Sequence, residues 1–302
     1  MNISLSIAGI YIFILLGFLA KKIAKDKIDS KTLVFISLYL LQPFLTFWGI
    51  AIRDVNFLAF RASLHFFTIS MLFLIITIIV GIVLFKDKKD RSILSVGVIV
   101  GNTGNLGIPL AIALFGESSI LYTSIINLTN VFIVFTIGVY LYSRGTFSIK
   151  ESIFNIFKLP AIWVGIFSIY FSLKKFYFPQ ELLLPLTMGA YGAIVLQLII
   201  FGAYLAQVSI KEIDLKLLGV LSFLKFVVIP VGVVIYLSFF KLPPLLHDVI
   251  LLETIVPMAV MNVNLSALYN CYPQKVAFLT FATSIIFLIY LGLLAKYLFI
   301  LV

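Results

Sequence analysis

"GNTGNLGIPL", Gly101 to Leu110, cuts into a long apolar run with three glycines, two asparagines, a threonine and a proline. A helix that crosses a bilayer needs about 20 mostly apolar residues, so this stretch puts helix breakers and polar groups near the middle of one. Proline lacks a backbone donor and clashes with the carbonyl four residues earlier, so Pro109 is expected to free the carbonyl of Asn105, while Gly104 and Gly107 permit non-helical angles. In hydrocarbon an unsatisfied backbone group costs several kcal/mol, so a break at this depth is tolerated only where protein or a water-filled cavity surrounds it. A break also aims a half-helix N-terminus, with free amide donors and partial positive charge, at the membrane centre, which suits an anion. Asn102, Thr103 and Asn105, with Gly107 and Pro109 shaping the backbone, are therefore the first candidates for substrate binding. Close helix packing through "GVIVG", Gly97 to Gly101, explains the glycines. It does not explain the asparagines, threonine and proline together.

Working outward, 63% of the 302 residues are hydrophobic, 11% are charged and the mean hydropathy is +1.20, a composition without enough polar surface for a soluble domain. The chain reads as an all-α polytopic membrane protein whose first partner is the lipid bilayer. The net charge of +10 lies in short clusters between apolar runs, as orientation signals do, and argues against nucleic acid. A single cysteine, Cys271, excludes disulfide frameworks and cysteine-based metal clusters.

Ten apolar runs are candidate spans, roughly residues 4–20, 32–52, 64–85, 92–115, 120–142, 160–173, 182–208, 217–240, 249–270 and 276–302. The first has no basic residue ahead of it and no small-residue cleavage site, and reads as a retained helix. Alternate loops carry 15 and five of the 22 Lys and Arg residues. By the positive-inside rule the first set, which includes Lys21, Lys22, Lys86, Lys88, Lys89, Arg91 and Lys211, is cytoplasmic. The second set, Arg53, Arg61, Lys174, Lys175 and Lys241, then faces out, and both termini are extracytoplasmic. Pro43 precedes Pro109 by 66 residues and Pro185 precedes Pro257 by 72. This spacing fits two five-helix halves, 1–150 and 151–302, joined at "SRGTFSIKESIFNIFK" and crossing in opposite senses. Such inverted repeats are how many secondary transporters are built, with paired interrupted segments marking the binding site.

The second interrupted segment is "LLETIVPMAVMNVNLSALYN", Leu251 to Asn270, where Pro257 should break the ninth helix ahead of Asn262 and Asn264. Glu253 is the acidic residue placed inside a span. It could bind sodium or carry a coupling proton, or snorkel to the interface close to its helix end. In "LYTSIINLTNVF", Thr123, Asn127 and Asn130 recur at i, i+4 and i+7 and share one helix face. That face suits interhelical hydrogen bonding or oxygen ligation of sodium. Lys225, before Pro230, is expected to snorkel towards the cytoplasmic face, with a counter-charge to the substrate or to Glu253 as the other reading. Thr280, Thr283 and Ser284 are expected to be structural, and His65 and His247 to be boundary residues. The sequence has no HExxH, GxSxG, P-loop lysine or intramembrane aspartate pair. Protease, lipase and ATP-driven pump readings therefore lack their chemistry, and neither an enzyme nor a resident cofactor is expected.

"GNTGNLGIPLAIALFG" followed by an inward polar helix, and "IVPMAVMNVNLSALYN" near the end, together with "LQPFLTF", "LPAIW" and "FLKFVVIP", resemble the auxin efflux carrier family of bacterial and plant transporters. The resemblance implies a ten-helix inverted repeat similar to that of bile-acid sodium symporters and sodium/proton antiporters. In it, helices 4 and 9 are broken and cross at Pro109 and Pro257, with the substrate site beside the crossing. Helices 1, 2, 6 and 7 would form a scaffold, and helices 3–5 and 8–10 the moving crossover domain of an elevator-type, alternating-access carrier in the cell membrane. Members move small organic anions such as auxin, malonate or malate, and Asn102 matches the family's asparagine ahead of the first crossover proline. Glu253 resembles the acidic residue that binds sodium in bile-acid relatives, although the auxin branch does not uniformly use sodium. The long cytoplasmic loop of plant members is absent here. The expectation is thus a carrier of a small carboxylate, with a sodium/proton antiporter or sodium symporter using Glu253 as the alternative and a non-transporting membrane sensor as a third reading. A homodimer is permitted by the small and aromatic residues of helices 1, 2, 6 and 7 but not required.

Overall fold

The computed structural model describes residues 3–52, 57–144, 148–209 and 213–298. Arg53 and Lys211 of the loop count, part of the seam between the halves and the last four residues of the tenth run lie outside them. Among the described residues the chain is helical, and six stretches are long and apolar enough to cross a membrane: Ser30–Trp48, Phe60–Leu84, Ile120–Arg144, Gln180–Leu205, Leu215–Ser238 and Pro273–Gly292. The family of exposed Leu, Ile and Phe side chains along these helices is what a lipid-facing surface requires.

Two groups of helices pack together. In the first, α1 (Ile3–Ala24), α2 (Ser30–Phe35), α3 (Gln42–Ala51), α10 (Pro160–Leu173) and α11 (Gln180–Leu205) are neighbours. The α1–α11 contact is the tightest: a Cβ on Gly17 or Gly202 would fall on the backbone of Ile199 or Ile14, so glycine is what lets the two backbones meet. The second group holds α4 (Phe57–Leu84), α5 (Lys88–Ile99), α6 (Ile108–Phe115), α7 (Ile120–Ile133), α8 (Val139–Arg144), α12 (Leu215–Phe223), α13 (Ile229–Ser238), α14 (Pro244–Ile255), α15 (Met261–Leu268) and α16 (Pro273–Leu298). Between α8 and α10 a short amphipathic helix, α9 (Ile149–Phe157), occupies part of the stretch read as a loop.

Four wide π-turns lie within the helices, at Ile36–Leu41, Thr103–Gly107, Val134–Gly138 and Leu224–Val228. Three of them end two residues before a proline, namely Pro43, Pro109 and Pro230. Proline pushes on the carbonyl four residues back, here Tyr39, Asn105 and Phe226. All three carbonyls fall inside a π-turn. Pro109 therefore begins α6, in whose first turn a missing N–H costs nothing, and does not itself interrupt the helix. The helical path stops earlier, at Val100 to Asn102. The expectation that the chain crosses at Pro109 is corrected by this shift; on the second side residues 256–260, around Pro257, are non-helical.

Candidate functional site

The two non-helical segments meet. Gly101 and Met258 form an antiparallel bridge, in which Asn102 N donates to the Pro257 carbonyl at 2.8 Å and Ala259 N donates to the Val100 carbonyl at 3.1 Å. Each segment thus supplies donors that the other lost on leaving the helix, as backbone buried at this depth demands. Side chains satisfy the remaining groups. Asn130 Nδ2 donates to the Gly101 carbonyl at 2.8 Å and to Thr103 Oγ1 at 3.0 Å, and Thr103 Oγ1 donates to Asn127 Oδ1 at 2.8 Å. Asn262 Nδ2 donates to the carbonyls of Ala259 at 3.0 Å and Val100 at 3.3 Å, while its Oδ1 accepts from the Tyr142 hydroxyl at 3.0 Å.

A cavity of about 400 Å³ lies against the first segment. Its crossover wall carries Asn102, Thr103, Gly104, Asn105, Asn127 and Asn130, and its far wall carries Gln42, Thr46, Trp48, Tyr191 and Gln197 from α3 and α11. No Lys, Arg, His, Asp or Glu is among the lining residues. Asn102 and Asn105 are half-buried, and their side chains make no hydrogen bond among the described residues. Asn130 Oδ1 and Thr46 Oγ1 are buried without a partner among the described residues. The helical path from Thr103 to Phe115 begins here, and its first N–H groups have no acceptor within the helix. The wall therefore presents neutral donors, two amide side chains and a partial positive charge, an arrangement able to hold an anion and release it.

The structure brings together five of the expected residues on this wall, Asn102, Thr103, Asn105, Asn127 and Asn130, and places the others elsewhere. Gly107 is buried where a Cβ would fall on the Glu253 carboxylate. Pro109 opens α6, Pro257 lends its carbonyl to the crossing, and Asn262 braces the crossing from behind. Glu253 is fully buried in a helix that starts at Pro244, earlier than the sequence placed it, so the snorkelling alternative is excluded. Its Oε1 is hydrogen-bonded to the Thr123 hydroxyl, and its Oε2 has no partner among the described residues. Thr123 thus parts company with Asn127 and Asn130: one helix face serves two places. Lys225 does not snorkel either, being fully buried with Nζ donating to the Val98 carbonyl at 2.7 Å. Among the described residues no group of three His, Cys, Asp or Glu could hold a metal.

Sequence reasoning missed the far wall. Gln197 Nε2 donates to Gln42 Oε1 at 2.7 Å, both side chains being buried, and Trp48 and Tyr191 sit with ring centroids 5.8 Å apart. A signal existed, since "IVLQLII" and "LLQPF" each hold one amide in an otherwise apolar run. Nothing local shows that two amides 155 residues apart face each other.

Comparison with known proteins adds two findings. The profile of a family described as "Membrane transport protein" matches residues 2–155. Over 304 aligned residues the chain is 26% identical to an uncharacterized transporter of Methanocaldococcus jannaschii, with 94% of this chain and 95% of that protein covered.

Proposed function

Because the chain belongs to the membrane transport protein family, that of the auxin efflux carriers, we propose that this multi-pass membrane transporter is a secondary carrier of a small organic anion, a mono- or dicarboxylate bound at the crossing. The observation that carries this reading is the cavity wall of Asn102, Asn105 and Asn127 at the start of the Thr103–Phe115 helix. Amide donors and a helix N-terminus recognise a carboxylate without any fixed cation in the lining. The paired breaks support ten spans in two inverted halves, 1–150 and 151–302, with α1–α3, α10 and α11 as scaffold and the remaining spans as the domain that moves between outward- and inward-open states. The loop charges support extracytoplasmic termini in a cell membrane.

Glu253 favours a second, coupled reading. A buried carboxyl with an unpartnered oxygen beside the Thr123 hydroxyl is a place where a proton or a sodium ion would reside during a transport cycle, giving an antiporter or symporter.

One experiment separates these. The melting temperature of the detergent-purified protein is measured against a panel of mono- and dicarboxylates, each as sodium and potassium salt. Stabilisation by one anion that Asn102→Ala abolishes supports the carboxylate carrier, and a sodium requirement lost in Glu253→Gln makes it a symporter. No response to any anion, with a response to sodium alone or to pH, overturns the carboxylate reading in favour of the antiporter.

A further inference from the structure

Breaking α5 exposes a set of carbonyls, and the donors that serve them are not alike. The Gly101 carbonyl takes Asn130 Nδ2, the Val100 carbonyl takes Ala259 N and Asn262 Nδ2, and the Asn102 carbonyl takes Leu106 N and Gly107 N. All of these are neutral amides. The Val98 carbonyl, whose usual partner Asn102 N is committed to Pro257, is served by the ε-amine of Lys225 at 2.7 Å. That lysine is reached through a π-turn, Leu224–Val228, a local widening that often marks functional positions. It is fully buried, and no carboxylate pairs with it among the described residues. Asn or Gln would have satisfied one carbonyl at far smaller desolvation cost, so hydrogen bonding alone does not account for a lysine.

We propose that Lys225 is a tethered cation: its ammonium occupies a monovalent-cation site at the C-terminal end of α5, behind the crossing, and does there what a bound metal ion would otherwise do. The C-terminus of a helix carries partial negative charge, and this one points at the same crossing whose other face receives the anion. Val98 is only three residues before Gly101, within about 5 Å along a helix at 1.5 Å per residue. In a low-dielectric interior an uncompensated positive charge at that range offsets the carbonyl end and leaves the anion facing a net positive crossing. Carboxylate binding is then independent of dissolved sodium or potassium. This last consequence rests on the carboxylate reading above; occupancy of the site by the ammonium does not.

The test has one arm for each part, both on the full-length protein in detergent. In the first, Lys225→Ala empties the site, and its melting temperature is measured in methylammonium, sodium, potassium and choline chlorides at equal ionic strength. Methylammonium or sodium is expected to raise it by several degrees over choline, and wild type is expected to show no difference among the salts. In the second, malonate and indole-3-acetate are titrated against wild type, Lys225→Arg and Lys225→Met. Lys225→Arg is expected to keep the wild-type midpoint within threefold, and Lys225→Met to weaken it at least tenfold. Equal melting of Lys225→Ala in all four salts overturns the proposal, as does a wild-type response that requires sodium, or a Lys225→Met midpoint within twofold of wild type. If Lys225→Ala can be purified only in methylammonium, the site is supported; if no cation recovers it, the lysine is structural and the proposal falls. Should neither anion stabilise wild type, the carboxylate reading fails while the first arm still decides the cation site.

Discussion

The two interrupted segments look alike in sequence, each a proline with asparagines close by, yet they sit in opposite environments. Around Gly101 to Asn105 the chain is open on one side: Asn102, Gly104 and Asn105 are half-buried and form the cavity wall. From Val256 to Val260 every residue is buried, and Asn262, which follows, spends both ends of its amide on Val100, Ala259 and Tyr142. The first segment is a surface that can exchange partners, while the second is a brace that cannot let go of its partners without exposing a carbonyl at membrane depth. Asparagine in a membrane span is thus not one signal but two, separated by whether the structure has already filled its hydrogen bonds.

Substitution of the two asparagines by alanine is the harshest test of that contrast. Asn262→Ala removes the second donor to the Val100 carbonyl and strands the Tyr142 hydroxyl in a buried site, which costs about 2–4 kcal/mol, and the expected result is poor recovery and a large fall in melting temperature. Asn102→Ala strands no protein group and is expected to cost under about 1 kcal/mol, while removing the anion-induced stabilisation. A folded Asn262→Ala protein that has lost only its anion response breaks the contrast and returns Asn262 to the binding site.

The glycines of the Thr103–Gly107 turn extend the same comparison to its front and back. A Cβ on Gly107 would fall on the buried Glu253 carboxylate, whereas one on Gly104 would come to 2.9 Å from Asn127 Oδ1, the tip of a half-buried side chain beside the cavity that accepts from the Thr103 hydroxyl. Gly107→Ala is therefore expected to cost about 1–3 kcal/mol by overpacking. Gly104→Ala is expected to cost about 1 kcal/mol, the one hydrogen bond from the Thr103 hydroxyl that Asn127 gives up when it swings away, and to weaken anion binding severalfold because it has swung. The paired measurements are thermal melting without ligand and the anion midpoint; equal stability losses in the two variants would show that Asn127 is as rigidly held as Glu253.

What the sequence made legible follows from the range of its rules. Membrane class, the short α10 beginning at Pro160 and the polar face shared by Asn127 and Asn130 depend on composition and local periodicity, and the structure agrees with them. The rule that proline breaks a helix places the first break several residues too late, because Pro109, two residues after a π-turn, sits in the first turn of α6, where its missing N–H costs nothing. The burial of Lys225 and Glu253 was not legible: a charged residue near a helix end snorkels or not according to what packs around it, and the partners, Val98 at 127 residues and Thr123 at 130 residues of separation, belong to the other half of the chain. The Gln42–Gln197 wall escaped for the same reason.

Tyr142→Phe is the gentlest probe of the brace. The hydroxyl donates to Asn262 Oδ1 at 3.0 Å in a fully buried setting, and its removal leaves one acceptor unfilled while keeping the ring that packs against the core. A net loss of about 1 kcal/mol follows, seen as a fall of a few degrees in melting temperature. Asn262 keeps its two carbonyl contacts in this variant, so the crossing should hold its shape and the anion midpoint should stay within twofold of wild type. A midpoint that moves tenfold with so small a stability loss would mean that the tilt of the Asn262 amide is transmitted through the Val100 carbonyl to the cavity wall, and that the brace takes part in binding after all.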